Sequence, residues 1–411
     1  MENHVKPVWL DKSTPPHVVT LVAIAGIGAL SMNIFLPALP AMALFFDVDY
    51  ALIQLSISAY LAVTAVLQIV IGPLSDRFGR RPILLGGFSI FVLATLGCML
   101  ATNIETLLTF RMLQAAVASG IVLSRAIVRD MVPIEKAASM IGYVTMGMSL
   151  MPMIGPAIGG VLNDAFGWQS SFFMLGASGL LVLFLIYADL GETNQHKSAS
   201  FGAQFRAYPD LIRARRFWGY TLTAGFASGA FFSFLGGAPF VSKEILGLSA
   251  SEMGGYFGIV AFGYMVGNFF SGRYSQRVGI NRMMVSGSVV ATLGALISLA
   301  LFELGVLHPL SLFGPMLLVG LGNGMTLPNA NAGIVSVRPH LAGSASGLSG
   351  AITIGSGAAL SALASTLPTV ETGAMPLFVL MTIVSILAIL ASFYVIWVAK
   401  HAEPLGKDGF S

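Results

Sequence analysis

Gly72-Pro73-Leu74-Ser75-Asp76-Arg77-Phe78-Gly79-Arg80-Arg81-Pro82 is a polar run between two apolar ones, about 51–73 and 82–101. Each flanking run is long enough to cross a bilayer, which takes roughly 20 helical residues. A second copy follows as Gly272-Arg273-Tyr274-Ser275-Gln276-Arg277-Val278-Gly279. Gly72, Gly79, Gly120, Gly147 and Gly155 are matched by Gly272, Gly279, Gly320, Gly347 and Gly355, each 200 residues on. The chain is therefore built from two related halves running in the same direction.

Working outward from this loop gives twelve apolar spans, near 17–45, 51–73, 82–101, 105–128, 137–163, 169–189, 216–240, 251–272, 282–303, 309–331, 343–367 and 374–399. Composition agrees: 56% of the 411 residues are apolar and 9% charged, where a soluble domain carries about 25% charge. The expected architecture is all-α and integral to the membrane, with two six-helix bundles related by a parallel pseudo-two-fold repeat. Residues 1–190 form the first bundle, 191–215 a cytoplasmic linker and 216–411 the second bundle. With both termini in the cytoplasm, every one of the 21 basic residues except Lys243 (outside) and Arg111 (within a span) falls on the cytoplasmic face. The bias of Lys and Arg toward the inner face sets that orientation in a plasma (inner) membrane. Parallel six-plus-six repeats are the plan of carriers that rock two bundles about a midplane site.

The residues at the loop carry a gating chemistry. Glycines at both ends of Gly72–Gly79 permit a tight reversal. Asp76 sits where it can cap a neighbouring helix, whose N-terminus is partially positive. Arg80 can reach Asp130, at the end of Arg129-Asp130 in span four. Arg111 is an ionised side chain within a span, at a cost of roughly 3 kcal/mol or more if it faced lipid. It must face the bundle interior. Gln114, Ala118, Arg125 and Arg129 follow it at helical spacings on one face. The alternative for Arg111 is a structural role, holding backbone carbonyls of adjacent helices. In span five, Gly147, Met151, Gly155 and Gly159 line one face, which lets helices pack backbone to backbone.

On these residues the chain resembles the major facilitator superfamily, whose signature loop reads G-x-L-x-D-R-x-G-R-R. Arg111-Met112-Leu113-Gln114 with Gly120 is similar to the arginine motif of proton-coupled members. Gly155-Pro156-Ala157-Ile158-Gly159-Gly160 resembles the antiporter motif of drug exporters. Leu36-Pro37-Ala38-Leu39-Pro40, Arg129-Asp130 and Pro152 resemble the bicyclomycin and chloramphenicol resistance (Bcr/CflA) branch of drug–proton antiporters. The resemblance implies export of a drug-like small molecule by alternating access in exchange for protons. It implies a cytoplasmic gate of Gly72, Asp76, Arg77, Gly79, Arg80, Arg81, Arg129 and Asp130. It also implies a leak-blocking, export-biasing motif at Gly147, Gly155, Pro156, Gly159 and Gly160.

One position departs from that branch. Asn33 stands where the relatives usually place an aspartate, and asparagine carries no proton. No acidic residue falls at mid-membrane, so coupling is expected to use Glu105, about 9 Å from Arg111 along the helix, or a charge brought by the substrate, or to be weak. Candidate cavity residues are Asn33, Tyr60, Arg111, Gln114, Phe231, Asn323 and Asn329. Such a cavity favours neutral or zwitterionic compounds over permanent cations. The lone cysteine, Cys98, and the six histidines form no metal-like or nucleophilic grouping. No cofactor, metal or nucleic-acid partner is expected, and the carrier is expected to act as a monomer. Rival readings are a carrier for one neutral or zwitterionic metabolite, a sugar or an amino acid, and, remotely, a membrane-embedded enzyme.

Overall fold

The computed structural model describes residues 8–131, 134–194, 208–338 and 342–401, so the expected linker is described only at its two ends. Among the described residues eleven helices are long and apolar enough to cross a membrane: α1 Val18–Phe46, α2 Tyr50–Phe78, α3 Arg80–Met99, α4 Ile104–Val128, α6 Gln169–Asp189, α7 Arg215–Ile245, α8 Ala250–Ser275, α9 Ile280–Glu303, α10 Pro309–Val337, α11 Ser344–Thr366 and α12 Met375–His401. A twelfth long helix, α5, spans Ile134–Phe166 and occupies the place of the fifth expected span, and a short helix, Tyr208–Ile212, precedes α7.

Burial differs among the helices. In α7 and α1, 83% and 67% of the most apolar stretch is buried, against 39% in α3 and in α6. The first pair is central, and the second turns side chains such as Leu93, Phe173 and Leu181 outward, as lipid permits. Helices approach closely where glycine removes the side chain. Gly87 seats α3 on the Ala116 carbonyl of α4, and Gly287 seats α9 on the Gly322 carbonyl of α10, one contact repeated in each half. Gly263, Gly267, Gly320 and Gly324 bring α8 and α10 into backbone contact.

The halves meet along α2 with α11 and α5 with α8. Hydrogen bonds join them at the end that carries Asp164. Tyr50 donates to the Gly236 carbonyl at 3.2 Å, Gln54 donates to the Ser361 hydroxyl at 3.2 Å, and Ser251 N–H donates to Asp164 at 2.9 Å. At the opposite end the buried carboxylate of Asp189 closes α6. It accepts from Leu10 N–H at 2.8 Å, His17 N–H at 2.9 Å and the Thr20 hydroxyl at 2.6 Å, which pins the segment before α1.

The polar run Gly72–Pro82 is mostly helical. α2 continues through Gly72 and Pro73 to Phe78, and the reversal is made by Gly79 alone (φ 107°, ψ 157°). The expected loop was too long because Ser75, Asp76 and Arg77 are all tolerated in a helix, while a positive φ is demanded only at Gly79. Gly279 repeats that conformation (φ 89°, ψ 144°) between α8 and α9. A Cβ at Gly79 would meet the Glu192 carboxylate, whereas among the described residues nothing lies within 4 Å of one at Gly279. Gly79→Ala should therefore lower the thermal midpoint of the solubilised protein more than Gly279→Ala. Both pay backbone strain of roughly 1–3 kcal/mol, and only the first evicts Glu192; equal midpoints would contradict this.

Candidate functional site

Arg111 is reached by α4 from an Asn103 cap, whose side chain accepts from Thr106 N–H at 2.8 Å. The guanidinium is 1% exposed. Its Nε donates to the Ser56 carbonyl at 3.0 Å. Nη1 donates to Ser31 Oγ at 3.1 Å and to Gln114 Oε1 at 2.7 Å, and Nη2 donates to the Ser31 carbonyl at 2.8 Å. The Phe35 and Tyr60 rings lie 4.4 and 4.0 Å from Cζ, on α1 and α2. Desolvated cation–π contacts of this kind contribute about 2 kcal/mol. Gln114 passes the network on, donating to Thr95 Oγ1 at 2.7 Å, which donates to the Phe91 carbonyl at 2.6 Å. The expected neighbours Arg111, Gln114 and Tyr60 are thus together, and the arginine holds backbone carbonyls of α1 and α2. Its named acceptors are all neutral. Ser31, Ser56 and Thr95 were missed because small hydroxyls carry no positional signal in a chain this rich in them.

The rest of the expected cavity set is dispersed. Asn33, 3% exposed, lies on the face of α1 opposite Ser31 and Phe35. Its Nδ2 donates to the Ala29 carbonyl at 2.6 Å, its Oδ1 has no donor, and Gly155 packs beside it. Asn323 in α10 also buries an Oδ1 without a donor. Asn329 is satisfied by Ser271 Oγ at 2.8 Å and the Met325 carbonyl at 2.7 Å, just after Pro328. Phe231 is half-buried against Phe232, 6.1 Å between centroids. Glu105 sits exposed in the first turn of α4 and is not among the partners of Arg111. The expected stripe from Arg111 to Arg129 is interrupted by a 3-10 turn at Ala115–Val117, which changes the helical register.

At the Gly79 end, Arg80 pairs with Asp76 and donates from Nε to Asp130 at 3.2 Å. Asp76 was expected to cap a helix, and the structure corrects this. Glu192, beyond α6, accepts from Arg80 N–H at 2.9 Å and Arg81 N–H at 3.3 Å and so caps α3. Thr193 donates to Asp130 at 3.0 Å, and Asn194 donates to the Asp76 carbonyl at 3.0 Å. Glu192 was missed because its partners, at a helix end, lie 112 and 111 residues earlier, beyond any local spacing. Arg81 donates to the Tyr187 carbonyl at 3.0 Å, and Arg77 lies over the Phe78 ring at 5.3 Å. These contacts all join the first half to itself or to Glu192, Thr193 and Asn194 at the start of the linker. The side chain of Arg129 and the surroundings of Gly147 lie outside the described residues.

Of the span-five motif, Gly155 and Gly159 face α1, where a Cβ on Gly159 would collide with the Ile34 carbonyl. Gly160 instead faces Ala250 of α8, and the Pro156 carbonyl faces Gly254, so the motif spans both an intra-half and an inter-half contact.

The Major Facilitator Superfamily profile matches residues 21–362. The chain is 31% identical to a chloramphenicol resistance protein of Pseudomonas aeruginosa, over 77% of this chain and 76% of that one. It is 30% identical to multidrug resistance protein D of Escherichia coli (strain K12), over 91% and 94%. A crystal structure of a bacterial homologue of the human lysosomal transporter Spinster, 16% identical, superposes with a TM-score of 0.69, covering 93% of this chain and 96% of the other. Six helices and six, with a glycine corner repeated between the second and third of each half and a profile that covers most of the sequence, place this chain in the Major Facilitator Superfamily.

Proposed function

We propose that this carrier exports neutral or zwitterionic drug-like molecules from the cytoplasm across the inner membrane, in exchange for protons and by alternating access. The observation that carries the substrate class is that, among the described residues, buried amide oxygens without donors occur in both halves, Asn33, Gln54 and Asn163 in the first and Asn323 in the second. A buried acceptor left unpaired costs about 1–3 kcal/mol. A substrate carrying N–H or O–H groups would satisfy such acceptors as the bundles move apart. Arg111 already spends its charge on carbonyls and aromatic faces, and its named partners offer a cationic substrate no carboxylate. Kinship with proteins named for chloramphenicol and multidrug resistance supports the drug-like class.

The bias of basic residues supports a cytoplasmic Gly79 end and an outer Asp164 end. Fastening at the Asp164 end then makes this the cytoplasm-facing conformation. Glu105, exposed at the outer mouth of α4, is the candidate proton carrier, and Arg111 the cation that fixes α1 and α2 against α4. The remainder of the Gly79-end cluster, Asp76, Arg80, Asp130 and Glu192, serves as a rigid cytoplasmic corner of the first half.

Counterflow in proteoliposomes with an imposed pH gradient tests the reading. Phenicol antibiotics or bicyclomycin-like compounds are expected to exchange and to respond to the gradient, while quaternary ammonium dyes are not carried. Exchange without any gradient response would reject antiport. Glu105→Gln should preserve exchange and remove the gradient response; an unchanged response would reject that residue. Arg111→Lys keeps the charge but loses the planar fork. It should abolish exchange and lower the thermal midpoint, and wild-type behaviour in both would contradict the cage. Asn33→Asp places a carboxylate on the far side of α1 from Arg111, and is expected to admit cationic dyes while leaving the midpoint within a few degrees of wild type.

A further inference from the structure

The fastenings between the halves differ in kind. Tyr50 to Gly236 and Gln54 to Ser361 are neutral hydrogen bonds on the α2 flank. On the α5 flank an ionisable group takes part: Asp164 Oδ2, in the last turn of α5, accepts from both the backbone N–H and the hydroxyl of Ser251. The first turn of α8 explains why that N–H is available. Ser249 and Glu252 form a capping box, in which Ser249 Oγ accepts from Glu252 N–H at 3.2 Å and Glu252 accepts from Ser249 N–H at 2.9 Å. The box leaves Ser251 N–H without a partner from its own helix, as helix N-termini do. The other half supplies one. Close approach makes this possible, since Gly160 and Gly254 bring α5 and α8 to backbone contact just below.

We propose that Asp164 is the latch that sets the resting state of this carrier, a helix cap made across the two halves when the Asp164 end is closed and broken when it opens. It rests on the alternating-access reading above, and adds a residue to it that neither the signature loop nor the span-five motif contains. A carboxylate on an N-terminal N–H gains from both the charge-assisted bond and the helix dipole. The neutral pairs on the α2 flank contribute less each. The facing charge on α8 is Glu252, whose carboxylate is turned to Ser249 and opposes Asp164 by like charge, so the latch is held by Ser251 rather than by an ion pair.

Spin labels at Leu100 and Leu304 report the separation of the halves at this end. Both are exposed corner residues, ending α3 and α9 at repeat-related places. Cysteines are introduced there in a Cys98→Ala background, and distances are measured by double electron–electron resonance on the full chain in lipid nanodiscs. The parent should give predominantly the short distance. Asp164→Ala should move the closed-to-open ratio about tenfold or more toward the longer distance. Asp164→Asn, which keeps an acceptor without charge, and Ser251→Ala, which keeps the N–H, should move it less. A parent already long, or an Asp164→Ala distribution that matches the parent in protein with an unaltered thermal midpoint, would overturn the latch. No drug enters this measurement. A shift in a carrier that transports none of the tested compounds would therefore uphold the latch and reject the substrate reading, and transport without a shift would reject the latch alone.

Discussion

Close approach of helix backbones is the constraint from which the rest of this structure follows. Lipid supplies no hydrophobic force between helices, so association depends on contact at short range and on internal satisfaction of every backbone group. Gly159 lets α5 settle on the Ile34 carbonyl, Gly120 lets α4 settle on that of Ile24, and Gly254 lets α8 settle on that of Pro156. With α1 held from two sides, Ser31 and Phe35 are carried to the guanidinium of Arg111. The buried cation is then tolerated because its donors end on fixed oxygens rather than on a mobile counter-ion.

The same constraint divides labour between the faces of α5. The glycines toward α1 build a permanent contact inside one half, and Gly160 toward α8 builds one that must part during transport. A single stripe of small residues thereby serves a rigid body and a separable seam. The chemistry of the two ends differs accordingly. Charged groups at the Gly79 end are paired within the first half, whereas at the Asp164 end hydrogen bonds cross between halves.

Span number, the repeat and the membrane setting were legible in the sequence because apolar length and glycine spacing are local signals. So was the Arg80–Asp130 pair, since both residues had to lie at helix ends on one side. Arg111 was legible as buried but its acceptors were not: two are backbone carbonyls, which every residue owns. Asn33 was legible as a departure, yet its direction away from Arg111 depends on the rotation of α1, which apolar composition on all sides leaves unspecified. Gly72 was misjudged as a loop residue because glycine and proline are read as breakers, and here the helix runs on through both.

The cap on α3 has a consequence for biogenesis. Asp189, which ties down Leu10 and His17, ends the sixth span, and Glu192, which holds the corner at Gly79, follows it. During vectorial synthesis these ties close only when the last residues of the first half leave the ribosome, and they need nothing from the second. The Gly79 edge of the N-terminal helices can therefore be tied before α7 begins, a built-in order of assembly.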